Sequence, residues 1–170
     1  MSKRVQKVIK EALKKESISE LEKHESSENN IPLIRPHFEQ IYMKLAFDLA
    51  QRSTCQRKLV GCVITTTDFR KVLAVGYNGN AAGLSNGCDH PNVSGACGCL
   101  HAEDNCVVNC DSPRFLEKIV FVTAIPCIMC SKRLINLGNV KKVYYSEQYR
   151  DISGLDLLQS VGIEIENLIL

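Results

Sequence analysis

The 170-residue chain lacks a dominant charge of either sign. Its formal net charge is +2, and acidic and basic residues are interspersed rather than sorted into blocks. Such a surface has no electrostatic grip on a phosphate backbone, so no nucleic-acid partner is expected. Also missing is any apolar run near the ~20 residues that a membrane-spanning helix requires, so no membrane partner is expected. The basic, polar N-terminus has no apolar core of the kind a secretory signal needs, and the expected location is cytoplasmic. No internal repeat is visible. The length suits one domain with a proper hydrophobic core.

Cysteine, by contrast, is plentiful, with nine in the chain. A disulfide framework belongs to secreted proteins, and nothing in the sequence points there. Cys62 lies in the apolar run 59–64, and Cys106 and Cys110 sit one helical turn apart. These three read as small buried hydrophobes. The other six fall near glycines, prolines and further candidate donors, which favours metal binding.

Residues 1–30 are rich in Lys, Glu and Ser, with Val5, Val8, Ile9 and Leu13 on one possible helical face. They read as a polar extension, solvated or loosely docked, ahead of a domain over 31–170. Pro36 opens a helix whose apolar stripe, Phe38, Ile41, Tyr42, Leu45, Ala46 and Leu49, is expected in the core. The runs 59–66 and 71–77, joined by Thr67-Asp68-Phe69-Arg70, read as an antiparallel hairpin. A Gly-, Asn- and Ser-rich stretch over 78–98 follows, long for a structureless loop. Helices are expected over 101–110, 127–137 and 154–160, with Gly138 stopping the second. Strands are expected over 118–124, 140–145 and 162–165, the first a run suited to burial. Alternating strands and helices imply parallel pairing. The expected fold is therefore α/β, a three-layer α/β/α sandwich on a mixed five-stranded sheet.

Chemistry concentrates at His101-Ala102-Glu103 and, one strand later, at Pro126-Cys127-Ile128-Met129-Cys130. One imidazole and two thiolates make three zinc ligands, leaving the fourth tetrahedral position for water, as in a catalytic zinc. The i, i+3 spacing puts both sulfurs on one helix face, and a helix N-terminus favours thiolate over thiol. Pro126 suits a helix start, where its missing N–H would be unpaired anyway. Glu103 is placed to move protons rather than to bind metal. It would take a proton from an activated water and return it to a ring nitrogen and to departing ammonia, which is hydrolytic deamination. A structural four-ligand zinc has no use for that carboxylate, and a redox Cys-x-x-Cys pair explains neither His101 nor Glu103.

The pattern His-x-Glu followed by Pro-Cys-x-x-Cys resembles the signature of zinc nucleobase deaminases. The resemblance to deoxycytidylate (dCMP) deaminases extends further. It takes in Arg35-Pro36, Arg52-Ser53-Thr54-Cys55, Val60-Gly61, Gly76-Tyr77-Asn78-Gly79, Leu100 to Asn105, and Tyr149-Arg150-Asp151 before Gly154. It covers residues 34–165. What it implies is a cytidine-deaminase-like fold, conversion of dCMP to dUMP and ammonia, and a homo-oligomer, with a hexamer favoured. It also implies activation by dCTP and inhibition by dTTP, bound near the Gly-Tyr-Asn-Gly segment. By position, His101, Cys127 and Cys130 would be zinc ligands and Glu103 the proton shuttle. Asn78 would hydrogen-bond the deoxyribose hydroxyl, the backbone around Ala102 would touch the pyrimidine, and Tyr149 would help close the pocket. For Asn78 the competing role is turn chemistry at an Asn-Gly pair, and for Tyr149 that of an ordinary partly buried aromatic. A phosphate needs a cation, and Arg52, Lys58 and Arg114 are candidates among which the sequence does not choose.

The 78–98 stretch carries a second constellation. The resemblance implies an additional structural zinc, with cysteines at positions like Cys55, Cys88 and Cys97. A metal tying this loop to the end of the first helix would order it. A closed site needs one more donor, and both His90 and Cys99 are available. His90 is favoured, because Cys99 is crowded against His101. Reduced, unmetallated cysteines are the alternative. For the whole chain, a tRNA adenosine deaminase shares the zinc motif, and Cys127-Ile128-Met129-Cys130 is even more similar to that family. Near-neutral charge and the Tyr77-Asn78-Gly79 segment favour the nucleotide enzyme. A zinc-binding regulatory module is the non-enzymatic alternative, and Glu103 argues against it.

Overall fold

Helix α1 (Phe38–Ala50) begins two residues after Pro36 and packs against the strand that follows it. The computed structural model describes residues 35–93, 96–148 and 151–170; the extension expected over 1–30 lies outside them. Hairpin strands β1 (Gly61–Thr66) and β2 (Val72–Tyr77) are antiparallel, and Phe69 takes a positive φ of 59° in the turn between them. Next come α2 (Ala102–Val108), β3 (Lys118–Ala124), α3 (Ile128–Leu137), β4 (Val140–Glu147), α4 (Ser153–Ser160) and β5 (Glu164–Asn167). Gly138 ends α3 with a positive φ of 86°, a conformation open to glycine without steric penalty.

The sheet order is β2-β1-β3-β4-β5. β1 runs antiparallel to both β2 and β3, while β3, β4 and β5 are parallel. The sheet is therefore mixed, as expected. Strand alternation sorts its side chains into two cores. Val63, Phe121 and Tyr144 face α1, while Cys62, Ile64, Val120, Val122 and Val143 share a cluster with Ala102, Cys106, Leu134 and Leu158 from α2, α3 and α4. The result is a three-layer α/β/α sandwich. None of the described helices is long and apolar enough to cross a membrane.

One expectation needs correction. The stripe Phe38, Ile41, Tyr42, Leu45, Ala46 and Leu49 is not the most buried face of α1. Met43, Ala46 and Ala50 are buried, whereas Phe38 and Ile41 are 49% and 43% exposed. The cause is a backbone approach. A Cβ at Gly61 would lie 1.9 Å from the Ala46 carbonyl oxygen, so α1 rests on β1 through its smallest residues. Phe38 instead stacks at the rim on Phe69, ring centroids 5.8 Å apart.

Candidate active site

Two helix starts meet on one side of the sheet, and each brings part of a donor set. His101 is the N-cap of α2, with extended backbone (φ −77°, ψ 158°), and Cys127 is the N-cap of α3, with Cys130 in its first turn. His101 Nδ1 lies 3.3 Å from Cys130 Sγ and 3.7 Å from Cys127 Sγ. Tetrahedral zinc, with bonds of ~2.1 Å to nitrogen and ~2.3 Å to sulfur, holds such atoms about 3.6 Å apart. The donors fit a zinc ion in chemistry and in spacing.

The electrostatics agree. Hydrogen bonds from Cys130 and then His101 bring the Cys127 thiol down to about 3, while its partner Cys130 is pushed up by Cys127 and by burial. The Cys127 side chain in turn raises His101 to about 9, against the effect of burial. Glu103 follows His101 by two residues and is only 4% exposed. Burial pushes its carboxyl up to about 7 from the ordinary 4.5. A carboxyl poised near neutrality can both accept and return a proton at working pH.

A cavity of about 450 Å³ opens onto this cluster, lined by His101, Ala102, Glu103 and Cys127 and, on another wall, by Asn78, Arg57 and Lys58. Ala102 is fully buried. Asn78 is not a left-handed turn residue, since its φ is not among the positive ones. Its Oδ1 accepts from Val60 N–H (2.8 Å) and its Nδ2 donates to Lys58 O (2.7 Å). Each amide atom keeps one further bonding position for a ligand. Tyr149 lies outside the described residues. Of the phosphate candidates, Lys58 lines the cavity and forms an ion pair with Glu147 (3.0 Å), whereas Arg52 and Arg114 are not in the wall.

Sequence reasoning overlooked three contributors. Asp104 accepts from His101 N–H (3.4 Å), lies 3.9 Å from Cys130 Sγ and pairs with Arg133 at 3.0 Å. It thus braces two donors from behind. Its place at the third position of a helix whose N-cap is the histidine was the available signal. Arg57 reaches the cavity from the loop after α1 and donates to the Val93 carbonyl.

The second cluster differs from expectation in one member. Cys55, Cys88, Cys97 and Cys99 have sulfurs all within 4.8 Å of one another, and exposed His90 is not in the group. Sulfur separations of 3.6 Å (Cys55–Cys88), 4.0 Å (Cys55–Cys97) and 3.5 Å (Cys88–Cys99) exceed the ~2.0 Å of a disulfide. They are close to the ~3.8 Å of tetrahedral zinc thiolates. Gly98, at φ 88°, turns the chain between Cys97 and Cys99, freeing Cys99 from the crowding expected beside His101. Burial opposes the Cys55 thiolate, but hydrogen bonds from the Lys58 and Arg57 backbone and from the Cys88 and Cys99 thiols bring it down to about 7.

Residues 36–147 match the family described as cytidine and deoxycytidylate deaminase zinc-binding region. The chain belongs to this family. The matched span contains every member of both clusters, and the family is a zinc-binding one. A dCMP deaminase from the cyanophage S-TIM5, solved in complex with dCMP and dUMP, is 36% identical. That match has a TM-score of 0.70 and covers 79% of this chain and 99% of the phage chain. The deoxycytidylate deaminase of Mycobacterium phage D29 is 31% identical, over 67% of this chain and 98% of its own. The deoxycytidylate deaminase of Schizosaccharomyces pombe is 32% identical over 79% of this chain. The match spans only 45% of that yeast protein, less than half its length.

Proposed function

We propose that this chain catalyses hydrolytic deamination of deoxycytidine monophosphate to deoxyuridine monophosphate and ammonia. The observation that carries this reading is the buried Glu103 carboxyl lining one cavity together with His101 and Cys127, two members of the His101, Cys127 and Cys130 donor set. The 36% identity to a phage enzyme solved with dCMP and dUMP supports the choice of substrate. A zinc held by His101, Cys127 and Cys130 supplies Lewis-acid activation of water near neutral pH. Water adds at C4 of the cytosine ring. Glu103 takes one proton from that water and delivers it to N3, then takes the proton of the new C4 hydroxyl and passes it to the amino group, so that the C4–N bond breaks, ammonia leaves and C4=O forms. The backbone at Ala102 abuts the pyrimidine, and the free bonding positions of the Asn78 amide meet the deoxyribose hydroxyl. Arg57 and Lys58 put positive charge on the wall that receives the phosphate. Tyr149 completes the pocket in this reading. Cys55, Cys88, Cys97 and Cys99 hold a second, structural zinc. Activation by dCTP, inhibition by dTTP and a homo-oligomer belong to the same proposal.

The test is ammonia release from purified zinc-loaded protein offered dCMP, dCTP, deoxycytidine and adenosine-containing RNA hairpins. Turnover of dCMP is expected, and turnover of RNA alone would reject the reading. Glu103→Gln should reduce turnover by about 10²–10⁴-fold with bound zinc unchanged. Metal analysis should find about two zinc ions per chain, a value near one removing the structural site.

A further inference from the structure

We infer that the four-cysteine cluster is a positioning device for the catalytic donors: a metal held there sets the backbone of His101 and Asn78 and so tightens metal binding at the other site. The inference rests on the zinc-deaminase reading above. Only Leu100 separates Cys99 from His101, and Leu100 is locked at both ends of its peptide. Gly79 N–H donates to Leu100 O (3.1 Å), and Leu100 N–H donates to Gly79 O (2.8 Å). Gly79 follows Asn78, so the same bridge ties the cavity wall to the segment that delivers His101. On its other side Gly79 is clamped, since a Cβ there would meet Thr54 Oγ1 at 2.5 Å, next to Cys55. Asn78 completes the circuit by holding Lys58 and Val60, just beyond Cys55 in the chain. Cys55, Cys97 and Cys99 also line the same cavity as His101 and Glu103.

A cation shared by these four sulfurs cross-links chain positions 55, 88, 97 and 99. Between the Gly79–Leu100 bridge and the sulfurs the loop has glycines 83, 87 and 98 at positive φ and residues 82–86 exposed. Its own ties are a few local bonds, such as His90 N–H to Cys97 O and Asn80 Nδ2 to Ser85 O, which the cross-link supplements. A cross-linked loop presents His101 in its ligating position before the second cation arrives, so less conformational freedom is lost on binding. Coupling between two binding sites is reciprocal. Filling the His101 site must therefore raise affinity at the four-cysteine site by the same factor.

The test substitutes Cys88, the one of the three loop ligands (Cys88, Cys97 and Cys99) farthest along the chain from His101. Site-resolved affinities come from cobalt absorption, whose sulfur charge-transfer intensity rises with the number of thiolates, and from chelator competition. Cys88→Ser should retain one metal per chain, bound at the His101 site about 10-fold or more weakly than in the wild type. Cys88→His, which restores a fourth donor, should recover that affinity. His101→Ala should weaken the four-cysteine site to the same degree as Cys88→Ser weakens the other. Unchanged affinity at the His101 site in Cys88→Ser overturns the inference. If that variant does not fold, the loaded wild-type protein decides. Under chelator challenge, loss of the four-cysteine metal should accelerate release from the His101 site, and independent release rates overturn the proposal. Coupled affinities without dCMP turnover would refute the substrate and leave the coupling standing. Turnover with uncoupled affinities would do the reverse.

Discussion

Lys118 opens β3 and is fully buried, yet its ammonium is well supplied with acceptors. Nζ donates to the carbonyls of Leu116 (2.7 Å), Pro113 (2.9 Å) and Gly138 (3.2 Å), joining the loop before β3 to the end of α3. Burial pushes its pKa down, so the three carbonyls are the compensation that keeps the charge inside. Lys118→Met keeps the aliphatic stem and strands those carbonyls. It should lower stability by about 2–3 kcal/mol in denaturant unfolding. A variant as stable as the wild type would mean that water replaces the ammonium. Asn78 tests the opposite case, a residue with two duties. Asn78→Ala should lose about 1–2 kcal/mol of stability through its two backbone bonds. It should also raise the KM for dCMP with zinc content unchanged. An unaltered KM would reduce it to a structural tie.

Helix α2 depends on a glycine in the strand beneath it. A Cβ at Gly76 would lie 2.4 Å from the Ala102 carbonyl oxygen and 2.5 Å from Cys106 N, both backbone atoms that no rotamer change can move. Asn105 secures the same contact by donating to Tyr77 O at 2.8 Å. Gly76→Ala should therefore destabilise the fold by about 1–3 kcal/mol and shift Glu103, lowering kcat as well. Thermal unfolding with parallel dCMP turnover checks both. At the other edge of the sheet, Lys142 pairs with Glu166 (2.8 Å) and Glu164 (3.7 Å) and lies over the Tyr144 ring. The Glu166 hydrogen bond raises its pKa above the ordinary 10.5. A base whose folded pKa is raised contributes its full stability below its unfolded pKa and loses it as pH climbs through the higher, folded one. Lys142→Met should cost about 0.5–1 kcal/mol, given the exposed glutamates. That difference should stay constant through neutral pH and shrink only in strong alkali.

At the scale of the molecule, zinc bound as proposed at both clusters would act on folding as well as chemistry, because their donors come from distant parts of the chain. A metal that binds only the folded form stabilises it by about 4 kcal/mol at a free concentration a thousandfold above Kd. For a domain of this size that is about 10 °C in melting temperature. Removing zinc with a chelator should lower the melting temperature by that order. It should also speed amide exchange over residues 79–100 more than in β3 and β4. Uniform acceleration across the sheet would show that the metals hold the whole fold rather than the loop and the site.

Local spacing alone marks His101, Cys127 and Cys130, which the fold brings within reach of one another. His101 with Glu103, and Cys127 with Cys130, sit at the starts of helices, where a spacing of two or three residues dictates which way each side chain faces. Strands β1 to β4 announced themselves through β-branched runs, and the hairpin turn through its polar residues. Donor choice in the loop was different. Whether His90 or Cys99 completed the sulfur cluster depended on the path of residues 88–99, which is set by a positive φ at Gly98 and by backbone pairing of Leu100 with Gly79. Neither leaves a periodic mark. The pairing of Arg133 with Asp104, and the burial of Met43 in place of Phe38 and Ile41, arose in the same way. Which atoms meet across separate elements is settled by how closely two backbones can approach, and short-range pattern does not encode that distance.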